Sequence, residues 1–76
     1  MPKLTSVDWK LLECIFVTDG WQFKRQKGDH RSYIKEGYLR PVVIPTYPDV
    51  GIDIIMNNMR TAGMSRDRYF ELMEQC

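Results

Sequence analysis

The chain reads as an α+β domain in outline: α-β-β-β-α with a short C-terminal helical extension, helices on one face of a three-stranded antiparallel sheet. Three observations predict this. Apolar residues recur at helical spacing before residue 20 and again from 52 to 59, β-rich runs fill the interval from 21 to 44, and glycine or proline marks the joins. With 76 residues, 43% apolar and 28% charged, the sequence supports one small folded unit, a single domain over 1–76. A domain of this size buries only about 60–65% of the surface its unfolded chain exposes.

The first helix is expected to open on Thr5-Ser6-Val7-Asp8, which resembles a capping box with Asp in place of Glu. Val7, Leu11, Cys14 and Ile15 then recur on one stripe, flanked by Trp9, Leu12 and Phe16, and the helix should end near Gly20. A stripe that wide should lie flat on a sheet, with Trp9 and Phe16 in the core rather than on a binding surface.

A strand from Trp21 to Lys27 runs into Gly28-Asp29, a pair suited to a two-residue hairpin turn because glycine can take positive φ. Antiparallel pairing through that turn sets Lys27 opposite His30, Arg25 opposite Ser32, and Phe23 opposite Ile34. One face would then carry Trp21, Phe23 and Ile34, giving way toward the tip to Arg25, Ser32, Lys27 and His30. The other, with Gln22, Lys24, Gln26, Arg31, Tyr33 and Lys35, should be solvated.

A third strand, Arg40 to Ile44, has Pro41 near its start and Pro45 at its end, which suits a short or edge strand. Thr46 to Asp49 forms a linker. Ile52, Ile55, Met56 and Met59 define the core stripe of a second helix capped by Gly63. Ser65 should cap a last short helix, whose Tyr69, Phe70, Leu72 and Met73 are too many for one buried face and leave some surface for a partner.

Net charge is only +1, yet residues 23–40 hold Lys24, Arg25, Lys27, Arg31, Lys35 and Arg40 against Asp29 and Glu36. A basic middle third between neutral-to-acidic ends is the electrostatic footprint of a phosphate-bearing ligand, although lysines on an exposed strand also serve solubility. Cys14 and Cys76 lack metal-ligand spacing and there is one histidine, so no zinc site and no metal cofactor is expected. Charges interrupt every apolar run at the start, which argues against a secretory signal or a membrane span. The expectation is a cytoplasmic protein with both thiols reduced. Glycine-rich phosphate loops, paired carboxylates and a nucleophile elbow are absent from the sequence.

What remains is one concentrated site. His30, the sole histidine, is the first residue after the turn and sits among Lys24, Arg25, Lys27 and Arg31. Histidine is the side chain whose ordinary pKa, ~6.5, suits proton transfer near neutrality, and Arg and Lys are the natural phosphate ligands. RNA carries its own nucleophile, the 2′-OH, so strand cleavage needs only proton transfer and charge stabilisation; a positioned acid or base is typically worth about 10²- to 10⁴-fold. On this reading His30 is the base or acid, Lys27 and Arg25 bind the scissile phosphate, and Lys24, Arg31 and Lys35 hold flanking phosphates. Gly28 and Asp29 form the turn that positions the histidine. Two alternatives stay open on residues alone: a non-catalytic RNA-binding module, and a protein-interaction domain whose basic strand serves solubility.

The order and spacing of Gly20-Trp21, Arg25-Gln26-Lys27-Gly28-Asp29-His30, Val42-Val43-Ile44-Pro45, Ala62-Gly63-Met64-Ser65 and Tyr69-Phe70 resemble the HicA toxins of bacterial toxin-antitoxin pairs. The resemblance implies a double-stranded-RNA-binding-domain-like fold, an mRNA-cleaving activity that depends on one histidine, and neutralisation by a HicB antitoxin. His30 occupies the position of that family's catalytic histidine. Asp29 stands where the family usually has serine, and Tyr47 where a histidine is common.

Overall fold

A computed structural model describes residues 3–76; Met1 and Pro2, part of the expected domain span, lie outside the described residues. The elements follow in the order α1 (Trp9–Thr18), β1 (Gln22–Lys27), β2 (His30–Ile34), β3 (Val42–Pro45), α2 (Ile52–Ala62) and α3 (Arg66–Glu74). The strands form one antiparallel sheet in the order β1-β2-β3. The expected α-β-β-β-α architecture with a helical extension is therefore present.

Helix α1 begins later than its capping pattern implies. Asp8 is the N-cap, without a side-chain hydrogen bond, and Val7 forms an antiparallel bridge with Val50 instead of opening the helix. The amide of each residue donates to the carbonyl of the other, at 3.3 Å from Val7 and 2.7 Å from Val50. Two backbone bonds there outweigh one extra turn of helix. Leu12, Ile15 and Phe16 form the buried face of α1, while Trp9 and Leu11 pack at the core's margin.

The hairpin turn is the expected two-residue Gly28-Asp29, with positive φ (60°) at glycine alone, the type II′ pattern that matches strand twist. Lys27 faces His30 and Arg25 faces Ser32, as the spacing requires. Further from the tip the register departs from expectation: an irregularity between Phe23 and Arg25 places Phe23 opposite Tyr33 and Gln22 opposite Ile34. An extra residue, Lys24, reverses which side the preceding side chains take.

That shift corrects the assignment of faces. Tyr33 has no exposed surface, and Arg31 packs over the Phe23 ring at 4.1 Å and the Trp9 ring at 5.3 Å. The face expected to be solvated is the one covered by α1, together with Val42 and Ile44 of β3. Trp21 is buried in the core just before β1.

Helix α2 ends on Gly63 in the left-handed region, φ 62°, as expected. Its buried stripe is rotated, however, to Ile55, Asn58, Met59 and Ala62, leaving Ile52 and Met56 about 40% exposed. Ser65 Oγ accepts from the Arg68 amide at 3.1 Å and caps α3. The apolar surplus expected on α3 is absorbed: Tyr69 and Leu72 are buried, and Phe70 and Met73 pack against the core.

The thiols also depart from expectation. Cys14 on α1 and Cys76 beyond α3 form a disulfide, with Cα atoms 6.1 Å apart, within the ordinary range for such bonds. Docking of α3 on α1 brings together cysteines that sequence distance alone keeps apart.

Two outcomes follow. The bond closes a loop of 62 residues, which in the chain-entropy treatment constrains the unfolded state by about 4 kcal/mol; denaturant titration of Cys76→Ser, or of reduced protein, should show most of that loss. Burial pushes the Tyr33 hydroxyl up to about 12, aided by its bond to Glu13, and burial alone pushes the Tyr69 hydroxyl to about 12. The stability from keeping both protonated is complete below about pH 10 and disappears as pH rises toward 12. Circular dichroism across that interval should show alkaline unfolding, and Tyr69→Phe should blunt it.

Candidate nucleic-acid interface and catalytic cleft

His30 opens β2 directly after the turn. The turn residue that precedes it is tied down from across the sheet: the backbone N–H and the hydroxyl of Thr46 both donate to the Asp29 carbonyl, at 2.7 and 3.2 Å. From within the hairpin, Gln26 Nε2 donates to the Gly28 carbonyl at 2.9 Å. Gln26 is itself held by Arg31 Nη1, at 2.9 Å to its Oε1.

Arg31 continues this chain of bonds into the helix layer. Its Nε donates to Glu13 Oε2 and to the Tyr33 hydroxyl, both at 3.0 Å, while the Tyr33 hydroxyl donates to the same Glu13 oxygen. The hydroxyl, and then the carboxylate, raise the Arg31 pKa above its ordinary value, so the cation is fixed. α1 therefore reaches the hairpin tip through Glu13, Arg31 and Gln26.

Lys35 is similarly engaged at the other end of β2. Its Nζ donates to the Asp19 carbonyl at 2.8 Å and lies 3.7 Å from the Asp19 carboxylate. Of the five cations expected to bind phosphate, Arg31 and Lys35 are thus ion-paired within the fold. Lys24, Arg25 and Lys27 have no ion-pair partner among the described residues and lie on β1, whose six residues are all exposed.

The open face of the sheet carries two adjoining depressions. Lys24, Arg25 and Arg40 border a groove of about 260 Å³ with Ser32 and Pro41. Pro41 also borders a larger cleft of about 410 Å³, in which His30, Val43 and Pro45 form the strand wall. The opposite wall comes from Asp53, Asn57 and Thr61 of α2, with Tyr47 on the connecting segment. Cross-strand pairing sets Lys27, His30 and Pro45 in one row and Arg25, Ser32 and Val43 in the next. A phosphodiester lying along this face would meet Arg25 and Lys27 on one side of His30 and the cleft on the other.

The sequence reading did not anticipate Arg40 or any cleft residue of α2. Arg40 was visible as part of the basic segment; Asp53, Asn57 and Thr61 carried only the i, i+4, i+8 spacing of one helical face. No helix among the described residues is long and apolar enough to cross a membrane.

The fold is thus a small α+β unit that presents one histidine beside exposed cations on the open face of its sheet. Comparison with known families bears on which class it is. The family model described as HicA toxin of bacterial toxin-antitoxin matches residues 9–64, from the start of α1 to just beyond α2. The chain belongs to the HicA toxin family, and its role is that of the toxin in a toxin-antitoxin pair. Neither the curated proteins nor the solved structures include a match. The third helix and Cys76 lie outside the matched span.

The bonding that anchors the hairpin has a measurable consequence. Arg31→Met leaves the Tyr33 hydroxyl and Glu13 with one partner fewer and frees the Gln26 carbonyl oxygen from its tether to β2, and should lower unfolding free energy by about 1–3 kcal/mol in denaturant titration.

Proposed function

We propose that this toxin is a histidine-dependent endoribonuclease that cuts mRNA without a metal ion and is neutralised by a HicB-like antitoxin. The observation that carries the reading is the register: Lys27 directly opposite His30, at the mouth of an open cleft, in a HicA family member. In the proposed reaction neutral His30 accepts the 2′-OH proton as O2′ attacks phosphorus, and the P–O5′ bond breaks. The leaving O5′ takes a proton from water, giving a 2′,3′-cyclic phosphate and a 5′-hydroxyl. Lys27 and Arg25 bind the scissile phosphate and stabilise charge on the phosphorane; Lys24, joined by Arg40 in the adjoining groove, holds a flanking phosphate. Arg31 and Lys35, ion-paired to Glu13 and Asp19, act by positioning β2. The nucleophile belongs to the substrate, so the chemistry calls for no cofactor. Messenger RNA as substrate sets the activity in the cytoplasm.

The antitoxin is proposed to cover the exposed cationic strand with an acidic surface and so occlude His30, because β1 offers Lys24, Arg25 and Lys27 with no ion-pair partner among the described residues. Binding should weaken as salt rises, and Lys24→Glu with Lys27→Glu should slow association more than it speeds dissociation, a split that stopped-flow or surface-based kinetics resolves.

The decisive assay is cleavage of a defined mRNA by purified protein. His30→Ala should lose at least 10²-fold in rate with an unchanged melting temperature, and Lys27→Ala combined with Arg25→Ala should lose about tenfold or more while flattening the salt dependence. Chelator should leave the wild-type rate intact. Full-rate cleavage by His30→Ala would remove the histidine from the chemistry. Salt-sensitive binding with no cleavage would instead make this a non-catalytic RNA-binding module.

A further inference from the structure

The wall of the cleft opposite His30 is more polar than a sheet–helix contact requires. Asp53 and Asn57 stand one turn apart on the exposed side of α2, with Cβ atoms at the roughly 5–6 Å spacing of i, i+4 neighbours. Behind them Asn58 also borders the cleft. It is 3% exposed, and its Nδ2 has no hydrogen-bond partner among the described residues. Buried amides are normally satisfied, and an orphan one at a cavity wall points to a ligand that completes it. Val43 and Ile54 supply apolar surface, and Tyr47, 39% exposed, offers an aromatic face at the rim. At about 410 Å³ the space lies in the range of small-ligand pockets, roughly 300–1,000 Å³.

We infer that this cleft is a nucleobase pocket that selects a single unstacked guanine next to the phosphate at His30. The inference rests on the proposed RNA-binding reading and gives it a substrate preference. Single-stranded RNA is read by splaying out a base, stacking it on an aromatic ring and bonding its Watson–Crick edge. Guanine is the base that presents two adjacent N–H donors, N1–H and the N2 amino group, beside an acceptor, O6. A carboxylate accepts both donors at once, and an amide supplies the N–H for O6. Asp53 and Asn57 are that pair. Adenine and cytosine offer a carboxylate one amino group flanked by a ring-nitrogen acceptor, and uracil offers one N–H between two carbonyls, so each turns an acceptor lone pair toward Asp53. Asn58, whose Nδ2 lacks a partner among the described residues, borders the same cleft and supplies a further donor for the base. The site also explains a negative charge beside an otherwise cationic track: Asp53 repels phosphate and leaves the cleft to a base.

A plainer role for Asp53 is favourable placement in the first turn of α2. That role makes no distinction among bases, which is what the test reads. The full chain carrying His30→Ala, unable to cut, is titrated with fluorescent uridine-rich hexamers bearing one central guanosine, inosine, adenosine or cytidine. Inosine lacks only the N2 amino group. Guanosine should bind about tenfold more tightly than inosine, since a good bidentate pair is worth about that factor or more. Adding Asp53→Asn should bring the guanosine-to-inosine ratio close to one, whereas adding Asn57→Ala should weaken both oligonucleotides alike through the lost O6 contact. Equal binding of guanosine and inosine, or a ratio that survives Asp53→Asn, overturns the pocket. In parallel, transcript ends produced by the wild type should lie next to guanosine. Efficient cleavage without that preference removes the pocket and keeps the nuclease; guanosine discrimination without any cleavage keeps the pocket and removes the nuclease.

Discussion

The contact on which the rest depends is the knot of Glu13, Arg31 and Tyr33. A buried tyrosine hydroxyl must find a partner, and a carboxylate at the helix–sheet boundary needs a cation; each of the three satisfies the other two. The knot decides which face of β2 the helix covers. Slipping the strand by one residue would turn Tyr33 outward, strand Glu13 and move His30 under α1. The side chain that performs the proposed chemistry faces outward because its neighbour is committed inward.

The same commitment divides the basic residues into two sets. Arg31, Lys35 and Arg68 are spent on acidic partners inside the fold, and their charges are largely cancelled there. Lys24, Arg25 and Lys27 lie on an edge strand that is exposed throughout among the described residues. Lysines on such an edge discourage pairing with another chain, and they also leave a concentrated, uncompensated positive surface. A chain whose net charge is only +1 can thereby present a strongly cationic strand, the feature on which the proposed RNA and antitoxin contacts rest.

Local chemistry was legible in the sequence; consequences of tertiary contact were not. Gly28-Asp29 dictated its own turn, and with it the pairing of Lys27 with His30. Gly63 and Ser65 likewise marked the joint between α2 and α3, because positive φ and a hydroxyl cap are properties of single residues. The irregularity at Lys24 had no residue signal, since lysine is as common in a regular strand as in a bulge, and missing it inverted the faces beyond Arg25. The bridge from Val7 to Val50 and the bond from Cys14 to Cys76 join residues far apart in sequence that only the packed fold brings together. On α2 the spacing of apolar residues identified the helix but not its rotation. Ile52 and Met56 fitted the stripe as well as Asn58, and a buried asparagine is what hydrophobic periodicity is blind to. The polar wall of the cleft was hidden by that same blindness.

β2 is fixed at both ends by acidic residues of one helix: Glu13 takes Arg31 near the turn, and Asp19, the C-cap of α1, takes Lys35 near the far end. Asp19 is held in turn by Arg68 of α3, whose Nε lies 3.2 Å from its second oxygen, while Arg68 also pairs with Glu71. The two carboxylate oxygens of Asp19 therefore link β2 to the C-terminal helix. Tyr69 and Leu72 seat that helix in the core, and Cys76 bonds it covalently to Cys14, one residue from Glu13. The segment beyond the family match thus buttresses α1 at the two positions from which α1 holds β2. A strand bearing its functional side chain at its first residue gains its precision from such clamps, since fraying at the tip would displace the imidazole before any other group.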